Sequence, residues 1–152
     1  MNKSTQSGFT LIELIVVIVI LGILAAIALP RLISMEGEAR SAVADSLYNS
    51  LRSGSNMVYA KTASAGQLTA NSYNVDVGGG VTINARYGYP NTNNNQNIAN
   101  LFEELSGRTA VSGNAAGRNV WVDGRANCGV VYQRAEKPGD RPVITPDKTG
   151  CD

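Results

Sequence analysis

Hydropathy divides the chain into three regimes. From Phe9 to Leu29, twenty-one consecutive residues hold one charged side chain, Glu13, and every residue from Leu14 to Leu29 is apolar or glycine. As a helix this run spans roughly 30 Å, the thickness of a bilayer hydrocarbon core. After Pro30 the pattern turns amphipathic. Met35, Ala39, Val43, Leu47, Leu51 and Val58 recur at three- and four-residue multiples, while Glu36, Glu38, Arg40, Asp45 and Arg52 mostly face elsewhere. The two patterns join into one helix from about Thr10 to about Ala63, roughly 80 Å of helical rise, with a kink expected at Pro30 where a backbone donor is missing. Gly22 and Gly37 lower its local stability by up to ~1 kcal/mol each.

From Asn71 the composition shifts to Gly, Asn and alternating residues. Val81, Ile83, Ala85 and Tyr87 alternate with Thr82, Asn84 and Arg86, a half-buried strand led by a turn at Gly78–Gly80. No Lys-Ser/Thr follows those glycines, so they are not a phosphate loop. Asn91 to Asn97 reads as a polar loop or cap, and Ile98, Leu101, Phe102 and Leu105 as a two-turn helix ending at Gly107. Asn119–Val122 and Cys128–Gln133 read as strands joined through Asp123-Gly124, a hairpin signal. Val143–Thr145 reads as an edge strand between Pro142 and Pro146. Trp121 and Tyr132 are expected as core anchors. The head is thus an antiparallel sheet laid on the amphipathic half of the long helix, an α+β fold.

Composition narrows the chemistry. The 152 residues contain no histidine and two cysteines, which removes imidazole acid–base catalysis, Ser-His-Asp and Cys-His nucleophiles, and the common zinc sites. No catalytic residue, cofactor or metal ligand is expected. A formal net charge of +1 gives no strong nucleic-acid signal. Cys128 and Cys151 either form a disulfide in an oxidising compartment or are two buried reduced thiols; a thiol one residue from a fraying chain end favours the disulfide.

The isolated acid is the informative feature. A cleavable secretory signal would use Ala26-Ile27-Ala28 as its A-x-A site, but acids are disfavoured where Glu13 stands. A plain anchor leaves Glu13 at a cost of about 2.5–3.5 kcal/mol at a membrane-helix centre, with nothing else in the run to pair with it. In both cases Lys3 ahead of the span keeps the leader cytoplasmic and exports the chain beyond Pro30. The third reading cuts the chain between Gly8 and Phe9. The new α-amine then lies four residues, about 6 Å of helix, before Glu13, and can meet the carboxylate of an axially displaced neighbour.

The stretch GFTLIEL, Gly8 to Leu14, followed by the apolar helix and Pro30, resembles the leader and N-terminal box of type IV prepilins. That resemblance implies cleavage after Gly8 by a prepilin peptidase and N-methylation of Phe9. It implies assembly roles for Glu13 and Pro30, and no enzymatic activity. It divides the chain into a leader (1–8), a membrane and filament-core helix (9–30), an amphipathic half-helix (31–63) and a globular head with a C-terminal disulfide region (64–152), the type IV pilin fold. Removing residues 1–8 takes one lysine from the 13 basic residues, leaving 12 against 12 acids. ALPRL, VYAKTASAG and YGYP are similar to segments of mannose-sensitive haemagglutinin (MSHA) type pilins. The implied function is a self-polymerising pilus subunit for surface attachment and biofilm formation, with a type II secretion pseudopilin or a minor pilin as alternatives. The implied partners are further copies of the chain, the peptidase, the assembly platform and motor, and the inner membrane before export to the cell surface. The Asn-rich loop has no counterpart in the family pattern.

Overall fold

The computed structural model describes residues 9–102 and 109–152. Helix α1 runs Leu11–Ser64, with Pro30 inside it. The strands are β1 (Tyr73–Gly78), β2 (Val81–Arg86), β3 (Tyr89–Pro90), β4 (Thr109–Gly113), β5 (Gly117–Val122), β6 (Gly129–Gln133) and β7 (Val143–Asp147), with a single turn of helix, α2 (Gln96–Ala99), after β3. The fold is α+β, as expected, but the strands form two antiparallel sheets rather than one: β1-β2-β3 and β4-β5-β6-β7. The chain divides into two compact units, one ending at Glu36 and the other running Gly37–Asp152.

In the first unit the described residues of α1 are exposed along their length. Phe9 is 94% exposed, and the apolar side chains from Leu11 to Leu32 remain open in the isolated chain. By length and composition this helix is apolar enough to cross a membrane.

The second unit is built around the rest of α1. Ala44, Leu47 and Leu51 pack with Ile98, Phe102, Val120, Val122, Val130 and Tyr132. Further along the helix, Val58 packs with Val75, Ile83 and Ala85 of the smaller sheet. The core face therefore begins near Val43. Met35 and Ala39, expected on that face, are exposed, since the packed core begins beyond them. Gly37 is buried, and a Cβ there would come within 3.3 Å of the Asp152 backbone.

Strand β2 keeps its expected alternation, with Ile83 and Ala85 buried, but ends at Arg86. Tyr87 lies in the following turn at φ 50°. The Gly78–Gly80 turn joins β1 to β2, so a strand not expected from the sequence precedes the glycines. The β5–β6 pairing through Asp123-Gly124 is as expected, with positive φ at both residues (50° and 71°). Strand β7 pairs along β6 as an edge. Tyr132 is fully buried and its hydroxyl donates to Pro90 O at 2.8 Å. Trp121, in contrast, is only half-buried: Arg118, Val120 and Val122 take the inward face of β5, and the two-residue period turns Trp121 outward. The expected two-turn helix is one turn followed by a tight bend at Leu101, with Ile98 and Phe102 buried; its Leu105 and Gly107 lie outside the described residues.

The Asn-rich run is not a loose loop. Asn97 Nδ2 donates to Asn91 O (3.1 Å) and Asn93 Oδ1 (2.6 Å), and Asn97 Oδ1 accepts from Asn84 N (3.1 Å). Short amides thereby satisfy backbone groups that burial would otherwise strand. The buried Arg118 guanidinium donates to Thr92 O through Nε and Nη2 (3.1 and 2.7 Å) and to Gly113 O through Nη1 (2.7 Å), tying this run to β4 and β5.

Candidate functional site: the N-terminal acid and the apolar helix

Thr10 immediately precedes α1 and Glu13 is the third residue of the helix. Thr10 N and Thr10 Oγ1 both donate to Glu13 Oε2 at 2.9 Å, and Glu13 N donates back to Thr10 Oγ1 at 3.3 Å. This is a reciprocal capping box, which satisfies two of the orphan donors at a helix start, and an acid in the first turn also suits the helix dipole. Glu13 therefore has a local partner, contrary to the expectation from sequence. The T-x-x-E spacing is the signal that announces it. Both bonds converge on Oε2, and Oε1 accepts none among the described residues.

Phe9 stands one residue before the cap, with its ring almost wholly exposed. Gly8, the expected cleavage position, lies outside the described residues. From Leu14 to Leu29 the helix carries no further polar side chain, so the capped carboxylate is the one fixed charge against a continuous apolar surface. A monomeric soluble protein rarely leaves so large an apolar patch open, and such a surface marks contact with lipid or with other protein. Pro30 sits within α1, beyond the apolar run, where it supplies no backbone donor.

At the other end of the chain, Cys128 and Cys151 form a disulfide with Cα atoms 4.7 Å apart. It joins the residue ahead of β6 to the C-terminal tail. The tail is further held by Gly150 N donating to Asn127 O (2.9 Å), by Arg40 Nη1 donating to Cys151 O (3.3 Å), and by Arg125 donating to Asp152 O. Among the described residues, no three His, Cys, Asp or Glu side chains gather as a metal-binding group.

Residues 3–29 match the family described as the prokaryotic N-terminal methylation motif. The chain is 54% identical over 44 residues to a type II secretion system core protein G of Pseudomonas aeruginosa, covering 29% of this chain and 31% of that one. It is 52% identical over 46 residues to a type IV narrow pilus major component of Thermus thermophilus (30% of this chain, 40% of that one). It is 47% identical over 53 residues to a type IV major fimbrial protein of Dichelobacter nodosus (27% and 34%). The chain thus spans only about a third of the length of the curated relatives it matches. No solved structure matches it. The likeness is N-terminal: the methylation motif over residues 3–29, and similarity to pilus and type II secretion proteins confined to about a third of each, in a chain whose long N-terminal helix is followed by antiparallel sheets.

Proposed function

We propose that the protein is a structural subunit of a type IV pilus, of MSHA type, serving surface attachment and biofilm formation. The observation that carries this reading is the exposed apolar face of α1 with a single acid at its start, lying inside the methylation motif. A prepilin peptidase cuts after Gly8, and the methylated Phe9 amine becomes the new N-terminus. Until assembly the helix is anchored in the inner membrane. On assembly, contacts with neighbouring helices replace lipid along Leu11 to Leu29, and Pro30 ends the apolar segment.

The capping box sharpens how Glu13 acts. Thr10 holds Oε2 and fixes the carboxylate, while Oε1 is left to meet the amine of an adjacent copy. A pair formed in a low-dielectric filament core has a strongly distance-dependent energy and so selects one axial stagger. The segmental similarity to a type II secretion core protein supports a second reading, a pseudopilin. The disulfide-closed tail fits the pilus reading better.

The test is electron microscopy of cells expressing Glu13→Val at native level, with parallel membrane fractionation. Membrane insertion is retained and surface fibres disappear. Abundant fibres of wild-type appearance would overturn the pairing role. Absence of fibres from wild-type cells would move the assignment to the pseudopilin. For processing, Gly8→Leu leaves uncut precursor in the membrane, and mature-sized protein would overturn the cleavage site.

A further inference from the structure

In the Gly37–Asp152 unit a cleft of about 570 Å³ opens between α1, the β2–β3 turn and the segment ahead of β7. On α1 its wall is Tyr48, Arg52, Ser55 and Tyr59, whose spacing of four, three and four places them on one helix face. The turn contributes Tyr87, and β3 contributes Tyr89. Tyr87 holds φ 50°, a left-handed conformation that bulky residues rarely adopt and that tends to accompany function. Its ring is backed by the Arg86 guanidinium, 5.0 Å from the centroid. Tyr89 stacks on Tyr59 at 4.9 Å between centroids. Gly88 permits this contact: a Cβ there would stand 2.9 Å from both Tyr59 Cδ2 and Leu68 Cδ2.

The segment ahead of β7 adds Asp140 and Arg141. Among the described residues, the side chains of Arg52, Asp140 and Arg141 take part in no hydrogen bond or salt bridge. Ser55 is 2% exposed, and its Oγ has no hydrogen-bond partner. Two unengaged guanidinium groups and one unengaged carboxylate therefore face a concave site with four phenols, in the size range of small-molecule pockets. Among the described residues, the head's own ion pairs make no use of these three charged groups.

We propose that the cleft binds a sugar bearing one anionic group. The guanidinium donors suit a carboxylate or a phosphate. Asp140 accepts from hydroxyls, and phenols both donate to and accept from them. The exposed face of Tyr59 offers a flat apolar surface to the C–H face of a pyranose ring. An acidic peptide fits less well, because its repeated carboxylates would meet Asp140.

The test uses the full chain in a polyoxyethylene detergent, so that no sugar headgroup competes and polymerisation, and hence the pilus reading, plays no part. Calorimetric titration compares glucuronate, glucose 6-phosphate, neutral glucose and tetraglutamate. At least one of the two anionic sugars binds, at least about tenfold more tightly than glucose or tetraglutamate, and which of them does identifies the anion. In an Arg52→Gln/Arg141→Gln variant that preference disappears; both side chains are exposed, so folding is retained, and unchanged circular dichroism checks it. Failure of both anionic sugars to bind, equal affinity for glucose, equal affinity for tetraglutamate, or a preference that survives in the double variant would each overturn the proposal.

Discussion

The two halves of α1 are both rich in aliphatic residues and meet opposite fates. Ile18 is 58% exposed, whereas Leu47 is fully buried. Within the Gly37–Asp152 unit the sheets and α2 cover the helix, and the core closes on itself. Within the unit ending at Glu36 the described apolar side chains stay exposed. One half gains its stability by folding; the other retains its apolar surface for a second solvent or a second molecule.

The largest expected effect tests this contrast directly. Leu47→Ala deletes methylene groups in a closed core and costs about 2–5 kcal/mol of head stability. Ile18→Ala, at an open site, changes it by less than about 0.5 kcal/mol. Denaturant titration of the full chain in micelles, followed by the near-ultraviolet signal of the head, measures both. A comparable loss in the two variants would mean that the first half of α1 is covered after all.

Next in size is the disulfide, which closes a stretch with a sequence separation of 23. In the chain-entropy account such a loop contributes about 3 kcal/mol by restricting the unfolded chain. Cys128→Ser/Cys151→Ser lowers the head's unfolding free energy by about that much in the same titration. A loss below about 1 kcal/mol would show that Arg40, Arg125 and the Gly150 backbone bond hold the tail unaided.

The same contrast explains what could be read in the sequence. The long helix, the membrane-length run and the Glu13 motif were legible because each is a sustained local pattern. Strand β2 was legible through strict alternation, and the β5–β6 pair through Asp123-Gly124. Strand β1 was not, because Val75 alone of YNVDVG is buried; nor was β4, where no residue of TAVSG is fully buried. Such strands are specified by pairing with a neighbour rather than by a hydrophobic face of their own. Trp121 was misplaced because residue type outweighed register, although Val120 and Val122 already fixed which face points inward. The Asn-rich run could be read only as a polar loop or cap, because its role depends on which backbone groups it meets in space. The cleft was not legible in the sequence, because Tyr87, Tyr89 and Arg141 lie far along the chain from α1 and only folding brings them together with its Tyr48–Tyr59 face.

A smaller effect comes from Tyr132. Burial pushes its hydroxyl well above the ordinary tyrosine value of 10.0, and Tyr89 is shifted upward too, chiefly by burial. The folded state keeps these protons at a pH where the unfolded chain releases them. Stability from this source is therefore complete below about pH 10 and falls as pH rises beyond it, by up to about 1.4 kcal/mol per pH unit for one such group. Tyr132→Phe costs about 1 kcal/mol at neutral pH through loss of the bond to Pro90 O, and flattens the alkaline decline. An unchanged alkaline slope would show that Tyr132 does not carry it.

The smallest expected effect returns to the comparison through charge. Lys148 Nζ lies 2.7 Å from Asp45 Oδ2, with the two side chains 39% and 54% exposed. Water and salt screen such a pair, so Asp45→Asn changes head stability by about 0–1 kcal/mol, and less as ionic strength rises. Glu13 is the opposite case. It too is exposed in the isolated chain, but in the proposed assembly its partner is an adjacent copy's amine in a core from which water is excluded. Removing one member there leaves an uncompensated charge, and the loss should appear in assembly rather than in the unfolding of the head. Glu13→Gln therefore leaves the head's unfolding midpoint unchanged while reducing fibres, whereas Asp45→Asn leaves fibres intact and moves the midpoint slightly. If the two substitutions act alike, exposure in the isolated chain rather than burial in an assembly governs both charges, and the contrast between the halves of α1 does not extend to electrostatics.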